Sequence, residues 1–285
     1  MPSETPVLEV LAAGAGMTIQ DRGRSGWKRF GIPPGGAMDL ESAQKANLLV
    51  GNDAGTPVVE LVFTGAKFFV LSSAEFAIAG ADVECEWPTW RNFRVESGSE
   101  ISFGLLRAGV WTYLAVRGGF VAPRWFGSAS ANLRAGFGEA LQPGARLSYE
   151  NRLPVEEIAS RFVPELVREE YGQTPVLRVW RGPEWDSFTE EARRQFLAQT
   201  WRVSPQSDRA GYRLEGIALE SRLRMPSAPV AVGAIQVPPN GQPIVLLRDG
   251  PTVGGYPRLA ILDAAGVSRF TQCAPGTGVR FVLAE

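Results

Sequence analysis

The sequence predicts a mainly β protein with two domains, and three observations support this. Short runs rich in β-branched and aromatic residues, such as AKFFVL, EFAIAG and PIVLL, recur along the chain. They are separated by turns drawn from 32 glycines and 21 prolines. The length of 285 residues suits two modest domains better than one. We therefore expect short strands that close into barrels or sandwiches.

Further strand-like runs are EISFGLL, WTYLAVRGGF, PVLRVW and VRFVLA. Asn240-Gly241 is the strongest short hairpin signal in the chain, because both residues tolerate the positive φ angles of a tight turn. The flanking runs AIQV and PIVLLRD are therefore predicted to pair as antiparallel strands.

Helical signals are few. In MDLESAQKANLLVGN, Asp39 is placed to cap a helix that Gly51 would end in a left-handed conformation. In DSFTEEARRQFLAQTW, Ser187 and Glu190 are spaced as a capping box that opens a second helix.

The polar segment from Tyr149 to Pro175 is predicted to connect the two domains. A weaker third helix is predicted within it, over about residues 155–167. The boundary placed here gives domains 1–165 and 166–285, each a β-barrel-like unit.

Composition excludes several classes of function. A net charge of -1, with no Lys/Arg-rich run, predicts no nucleic-acid partner. No apolar run approaches the ~18 residues of a membrane span, and the N-terminal residues lack the pattern of a secretory signal. We expect a cytoplasmic protein that does not bind membranes.

The chain contains no histidine, and this narrows the chemistry. Ser-His and Cys-His nucleophile pairs are excluded, and no metal site is predicted. The absence of any Gly-Lys dipeptide excludes a Walker phosphate-binding loop. Carboxylates, Tyr, backbone amides or a partner's residues must carry any reaction.

Two polar, glycine-rich stretches in the first half are candidate sites. Before the first predicted helix, Asp21 can accept hydrogen bonds, Arg24 can pair with an anion, and the helix N-terminus can attract an anionic group. Further on, Ser128 and Ser130 alternate and would share one face of an extended backbone. The alternative for both stretches is an ordinary solvated loop.

A third candidate, RDGPTVGGYP, follows the predicted hairpin. Its glycines would let backbone amides face a ligand, with Asp249 polarising a nucleophile or water. The alternative is a second turn with an exposed acid.

Several ordered stretches together resemble one protein family. MTIQDRGRSG, GIPPGGAMD, ANLLVGN, LAVRGGF, FGSAS, SDRAGYRLEG, GAIQVPPNGQPIVLLRD and GGYP are similar to the carboxyltransferase-type proteins called allophanate hydrolase subunit 2. This family includes one component, of the C type, of bacterial ATP-dependent 5-oxoprolinase. The resemblance covers the chain from about Leu8 to Phe281 and implies a cyclophilin-like β-barrel architecture in two subdomains.

The resemblance also implies a shared activity. It implies a subunit 1 type partner, a partner resembling a lactam-utilisation protein, and a lactam substrate that the complex opens at the expense of ATP. Candidate catalytic residues are Asp39, Asp249 and Tyr256. Candidate substrate-binding residues are Gln20, Asp21, Arg24, Met38, Ser128, Ser130, Gln236, Thr252, Gly254 and Gly255, and glycine-lined strand ends from both halves are predicted to meet in one cleft.

Two other functions remain open. The chain departs from the family pattern at Met17, Gly35, Ala131, Gly250 and Val253, where relatives carry polar residues, and this keeps open a non-catalytic subunit that binds a kinase-inhibitor partner of the subunit 1 type. Biotin-dependent carboxyl transfer is disfavoured, because the chain has no Met-Lys-Met biotin-attachment motif.

Overall fold

The fold was analysed in a computed structural model that describes residues 4–150, 159–168, 170–220 and 225–284. These residues form 17 strands and three α-helices, so the mainly β prediction with few short helices is confirmed. They divide into two compact units. The first comprises Met1–Arg24 and Gly35–Tyr171, and the second comprises Ser25–Pro34 and Gly172–Glu285. The boundary between residues 165 and 166 stays a prediction.

The first unit is an eight-stranded sheet with one helix. Strand order is β2-β3-β7-β4-β1-β8, with β5 also paired to β7 and β6 paired to β5. The elements are β1 (Glu4–Ala13), β2 (Met17–Gln20), α1 (Leu40–Leu49), β3 (Val58–Val62), β4 (Ala66–Val70), β5 (Ala74–Cys85), β6 (Asn92–Val95), β7 (Glu100–Val116) and β8 (Arg146–Glu150).

Strand β7 organises this sheet, because it joins the predicted runs EISFGLL and WTYLAV into one strand of 17 residues. Alternate residues of its second half face opposite sides. Leu114 and Val116 enter the core with Phe68 and Phe76. On the other side lies Tyr113, next to α1, which packs against β5 and β7. Because both faces are covered, the sequence here is a continuous apolar run.

Helix α1 begins and ends as predicted. The side chain of Asp39 accepts a hydrogen bond from the Ser42 amide at its N-terminus. Gly51, just beyond its last turn, has a φ of 77°.

The second unit contains a closed barrel of seven strands in the order β10-β11-β14-β13-β16-β9-β17. The remaining strands, β12 and β15, form a separate two-stranded sheet. The elements are β9 (Val176–Arg181), α2 (Glu190–Ala198), β10 (Trp201–Val203), β11 (Gly211–Glu215), β12 (Ala228–Pro229), β13 (Ala234–Gln236), β14 (Ile244–Leu246), β15 (Val253–Gly254), β16 (Arg258–Leu262), α3 (Ala264–Thr271) and β17 (Gly278–Leu283). The interior packs tightly, as the stacked rings of Phe196 and Phe281 show, with centroids 4.9 Å apart.

The predicted hairpin is confirmed: β13 and β14 pair antiparallel, with Ile235 opposite Val245. The second predicted helix exists, but its predicted cap is wrong. Thr189 caps α2 by accepting from the Ala192 amide, while Ser187 lies in a preceding 3-10 turn and donates to the Glu184 carbonyl.

The third predicted helix, over residues 155–167, falls partly on residues 155–158, which lie outside the described residues. In the described remainder, only a 3-10 turn at Glu165–Val167 forms. Helix α3 was not predicted. None of the helices in the described ranges has the length and apolar character needed to cross a membrane.

Candidate functional site

The first candidate stretch forms a buried polar network around Asp21, which directly follows β2. The Asp21 carboxylate accepts hydrogen bonds from the hydroxyls of Ser128 (2.6 Å) and Ser130 (2.5 Å). The amides of Gly23 (2.7 Å) and Ala129 (2.8 Å) donate to it as well. We call Asp21, Arg24, Ser128 and Ser130 the Asp21 network. Four donors on one carboxylate hold three chain segments together.

The predicted alternation of Ser128 and Ser130 is observed. Both hydroxyls lie on the buried side that faces Asp21. Ala129 and Ala131, between and after them, line a cavity instead. The segment is therefore not a solvated loop.

Arg24 is buried beside this network rather than exposed. Its Nη2 donates to the Ser130 carbonyl, and its Nε donates to the Trp125 carbonyl at 3.3 Å. Its guanidinium also lies 4.9 Å from the ring centroid of Phe137. Arg24 thus binds backbone oxygens of the loop that carries the two serines. Gln20 is equally buried, and its amide donates to the Ala131 carbonyl at 3.0 Å.

A second cluster surrounds the start of α1. The Met38 amide donates to Glu60 Oε2 (2.7 Å), and the Asp39 amide donates to the Tyr113 hydroxyl (2.8 Å). Both Asp39 oxygens accept from Ser42, through its amide (3.0 Å) and its hydroxyl (2.6 Å). We call Met38, Asp39, Glu60 and Tyr113 the helix-start cluster.

This cluster corrects the expectation that the N-terminus of α1 would attract an external anion. The amides there already face the chain's own carboxylates, Glu60 and Asp39, which complement the helix dipole. Glu60 and Tyr113 are directly opposite each other on β3 and β7. Burial, together with the nearby Glu60 and Asp39 carboxylates, raises the pKa of Tyr113 well above 10.0, so its phenol keeps its proton and donates to Glu60.

In the second unit, Asp249 forms an ion pair with Arg209. Arg209 Nε donates to Asp249 Oδ2 at 2.7 Å, and the Asp249 amide donates to the Arg209 carbonyl at 3.0 Å. The Asp249 side chain is only 7% exposed. It is therefore not the exposed acid of the alternative interpretation, and its charge is balanced by a cation of the same unit.

The other residues of RDGPTVGGYP lie along β15. The buried Gln236 amide donates to the Tyr256 carbonyl at 3.0 Å. A Cβ at position 254 would come within 2.6 Å of Gln236 Nε2, which explains the glycine there. The Thr252 carbonyl accepts from the Val230 amide, and the Gly255 backbone passes near Ser227. The Tyr256 ring remains 44% exposed.

Sequence reasoning missed several residues of these clusters. Arg209 lies inside SDRAGYRLEG, a stretch used for the family resemblance, yet no role followed from its spacing. Glu60 and Tyr113 lie in runs that indicate only strands. Lys28 lies in the segment that joins the second unit, where its ammonium donates to the Val230 carbonyl at 2.7 Å. Burial lowers the pKa of Lys28.

The structure thus gathers the candidates into local clusters. Gln20, Asp21, Arg24, Ser128 and Ser130 lie together. Met38 and Asp39 form a second group, and Gln236, Gly254 and Tyr256 a third. That clusters from both halves meet in one cleft stays a prediction, as does the catalytic role of each residue.

Comparison with known proteins gives a consistent result. Residues 30–283 match the family described as "Carboxyltransferase domain, subdomain A and B". The chain is 34% identical to the C-type component of 5-oxoprolinase from Escherichia coli, over 97% of this chain and 91% of that protein. It is also 31% identical to urea amidolyase of Saccharomyces cerevisiae, over 98% of this chain but only 17% of that much longer protein.

A solved structure agrees with the fold. The crystal structure of TTHA0988 has a TM-score of 0.88 and 33% identity, and covers 97% of this chain. This chain corresponds to 55% of that protein. Its similarity is therefore to one part of a longer chain. By sequence over nearly its full length and by fold, the chain belongs to the carboxyltransferase-domain family.

Proposed function

We propose that this protein is a subunit of a bacterial ATP-dependent 5-oxoprolinase, a complex that opens a five-membered lactam to glutamate. The observation that carries the proposal is the similarity to the C-type component of 5-oxoprolinase over nearly the whole of both chains. The urea amidolyase relatives match over a small part of their length, so they support the same domain within a larger and different system.

The arrangement of the acids supports a shared site. A lactam is a poor electrophile, and phosphorylation of its amide oxygen creates a leaving group. This chain has no histidine to act as a base. Its candidate acids are held by hydroxyls and amides, by a helix start, and by Arg209. Such preorganised groups suit positioning and charge stabilisation, and a partner subunit would supply the remaining groups.

The residues at the start of α1 do not fit a nucleotide phosphate. The Met38 and Asp39 amides donate to Glu60 and Tyr113, and the flanking carboxylates would repel a phosphate. We therefore assign ATP to the complex and derive no step through ATP in this chain.

The test is co-expression with a subunit 1 type protein and a lactam-utilisation protein, followed by measurement of 5-oxoproline-dependent ADP release. Asp39→Asn keeps a side chain that caps helices well, and Asp249→Asn keeps the shape of the carboxylate. We expect each to lower turnover by about 100-fold while the complex still assembles on size exclusion.

Two matched variants control for structural damage. Asp263→Asn alters the cap of α3 in the same way, and Glu184→Gln removes another acid that is paired with an arginine in the second unit. Both are expected to retain turnover. Equal losses in the controls, or an assembled wild-type complex that never releases ADP, would contradict the catalytic proposal.

One observation favours a second candidate, a non-catalytic subunit that binds a kinase-inhibitor partner of the subunit 1 type. Asp21, Asp39 and Asp249 all have hydrogen-bond partners within this chain. A stable complex with the subunit 1 type protein, without turnover when all components are present, would support this candidate.

A further inference from the structure

A cavity of about 420 Å³ lies in the first unit, outside every candidate residue selected from the sequence. It lies behind the segment that carries Ser128 and Ser130, on the side to which Ala129 and Ala131 point. Its size falls within the range of small-molecule sites, which is roughly 300–1,000 Å³.

The walls of the cavity are mainly apolar. Aliphatic side chains contribute on several sides, among them Ile19, Val121, Leu141 and Leu147. Trp125 forms part of the wall, and its ring is held by stacking on Phe137, with centroids 6.3 Å apart. A ligand with a hydrocarbon body would bury its surface here.

Small residues keep the space open. Gly138 lies so close to the wall that a Cβ there would come within 3.0 Å of the Ala131 Cβ and 3.5 Å of the Trp125 ring. Ala122 and Ala129 add only methyl groups to the lining. Larger side chains at these positions would occupy the volume themselves.

One charged side chain, Glu139, joins this lining. It is exposed to solvent at the edge of the cavity. No arginine, lysine or hydrogen-bond donor of the described residues engages its carboxylate. The cavity therefore combines apolar walls, an indole ring and one carboxylate available to a ligand.

We propose that this cavity binds a small organic cation, an amine with a compact aromatic or aliphatic body. The ammonium group would pair with Glu139, and the body would contact Trp125 and the aliphatic walls. A carboxylate ligand of the same shape would be repelled by Glu139, and a neutral one would gain only the apolar contacts. This site is separate from the proposed lactam chemistry and does not depend on it.

The test compares three probes of matched shape with the full chain by isothermal titration calorimetry: 2-phenylethylamine, 2-phenylethanol and phenylacetate. We expect affinity to fall in that order. Binding should also perturb the indole N–H signal of Trp125 in a nitrogen-15 NMR spectrum, assigned with Trp125→Phe.

Variants then separate the charge from the volume. Glu139→Gln should weaken 2-phenylethylamine by about threefold, the size of a partly exposed ion pair, and leave 2-phenylethanol unchanged. Glu84→Gln, at an exposed acid on β5, should change neither affinity. Ala122→Leu should weaken both probes, and its thermal unfolding shows whether the fold is retained.

Three results would overturn the proposal. One is phenylacetate binding as tightly as the amine. A second is a Glu139→Gln variant with unchanged amine affinity. The third is a dissociation constant for 2-phenylethylamine weaker than about 10 mM in the wild-type chain.

Discussion

At the residue scale, the candidate carboxylates differ in the partners that hold them. Asp21 is held by two hydroxyls and two amides, Asp39 by the first turn of α1, and Asp249 by a guanidinium. Glycine-rich context and residue type identified the positions. The partners come from distant parts of the chain, such as Ser130, which is 109 residues from Asp21.

Asp21→Asn is expected to lower the free energy of unfolding by about 3 kcal/mol, measured by urea denaturation. The new amide group would turn two hydrogens toward a site that is occupied by donors, and at least one buried donor would lose its acceptor. Asp82→Asn, at an exposed position, is the control and should change stability by less than about 0.5 kcal/mol. A small loss for Asp21→Asn would mean that the network does not depend on the charge.

Glu184 and Arg258 form a paired site whose contribution should depend on pH. Hydrogen bonds from Arg258, at 2.8 Å from Nε and 2.5 Å from Nη2, lower the pKa of Glu184 below its ordinary 4.5. Because the folded state binds this proton more weakly than the unfolded state, the stabilisation is present above pH 4.5 and is lost as the pH falls through the lowered folded value.

The stability difference between the wild-type chain and Glu184→Gln should therefore be about 1 kcal/mol at pH 7. It should shrink steadily in denaturation curves recorded from pH 5 toward pH 3. A difference that is constant or grows on acidification would contradict the assigned pairing.

At the element scale, local signals predicted elements well where the residues that define them are close in sequence. Asp39 and Gly51 bracket α1, and Asn240-Gly241 lies between β13 and β14, so both were predicted. Helix α3 has only eight residues and contains Gly266 and Ser268, so its period is too short to recognise.

Other features depend on contacts that spacing cannot show. The two runs that form β7 look separate because glycines interrupt them, yet pairing with β3, β4 and β5 makes one strand. The segment Ser25–Pro34 folds with the second unit, although more than a hundred residues separate it from that unit's first strand. The candidate clusters were predicted as stretches, but Glu60, Tyr113 and Arg209 were found only from their contacts.

A close approach between β5 and β7 gives a prediction at this scale. Gly80 has a φ of 108°, and a Cβ there would lie 2.3 Å from the Trp111 carbonyl. Gly80→Ala should lower the free energy of unfolding by about 3 kcal/mol, because the clash is with backbone in a central strand pair.

Gly98→Ala is the matched control, since Gly98 has a φ of 90° but nothing lies near its added methyl group. Its cost should be limited to the backbone conformation, about 1 kcal/mol. Similar losses for both variants in chemical denaturation would show that the β5 and β7 contact yields easily.

At the scale of the whole molecule, each unit has its own apolar interior. The first is centred on the sheet around β7, with Phe68, Phe76 and Leu114. In the second, α2 places Phe196 against Phe281 of β17. The family fold was predicted correctly because ordered motifs from both units carry the resemblance.

Phe281→Ala should destabilise the second unit by about 4 kcal/mol, because it leaves a cavity opposite Phe196 in a fully buried position. Val282→Ala, one residue later and 41% exposed, should cost less than about 0.5 kcal/mol. Hydrogen exchange of the β9 and β17 amides measures both. Equal protection in the two variants would argue against a packed barrel interior.

The pairing of β17 between β9 and β10 also constrains how the protein is made. Strand β9 pairs in parallel with β17, about a hundred residues later, so the ring of seven strands stays open until residues 278–283 have left the ribosome. At roughly 5–20 residues per second, this delay lasts between about 5 and 20 seconds. During that time the nascent chain carries unpaired edges at β9 and β10, and ribosome-associated chaperones are expected to bind it most at this stage.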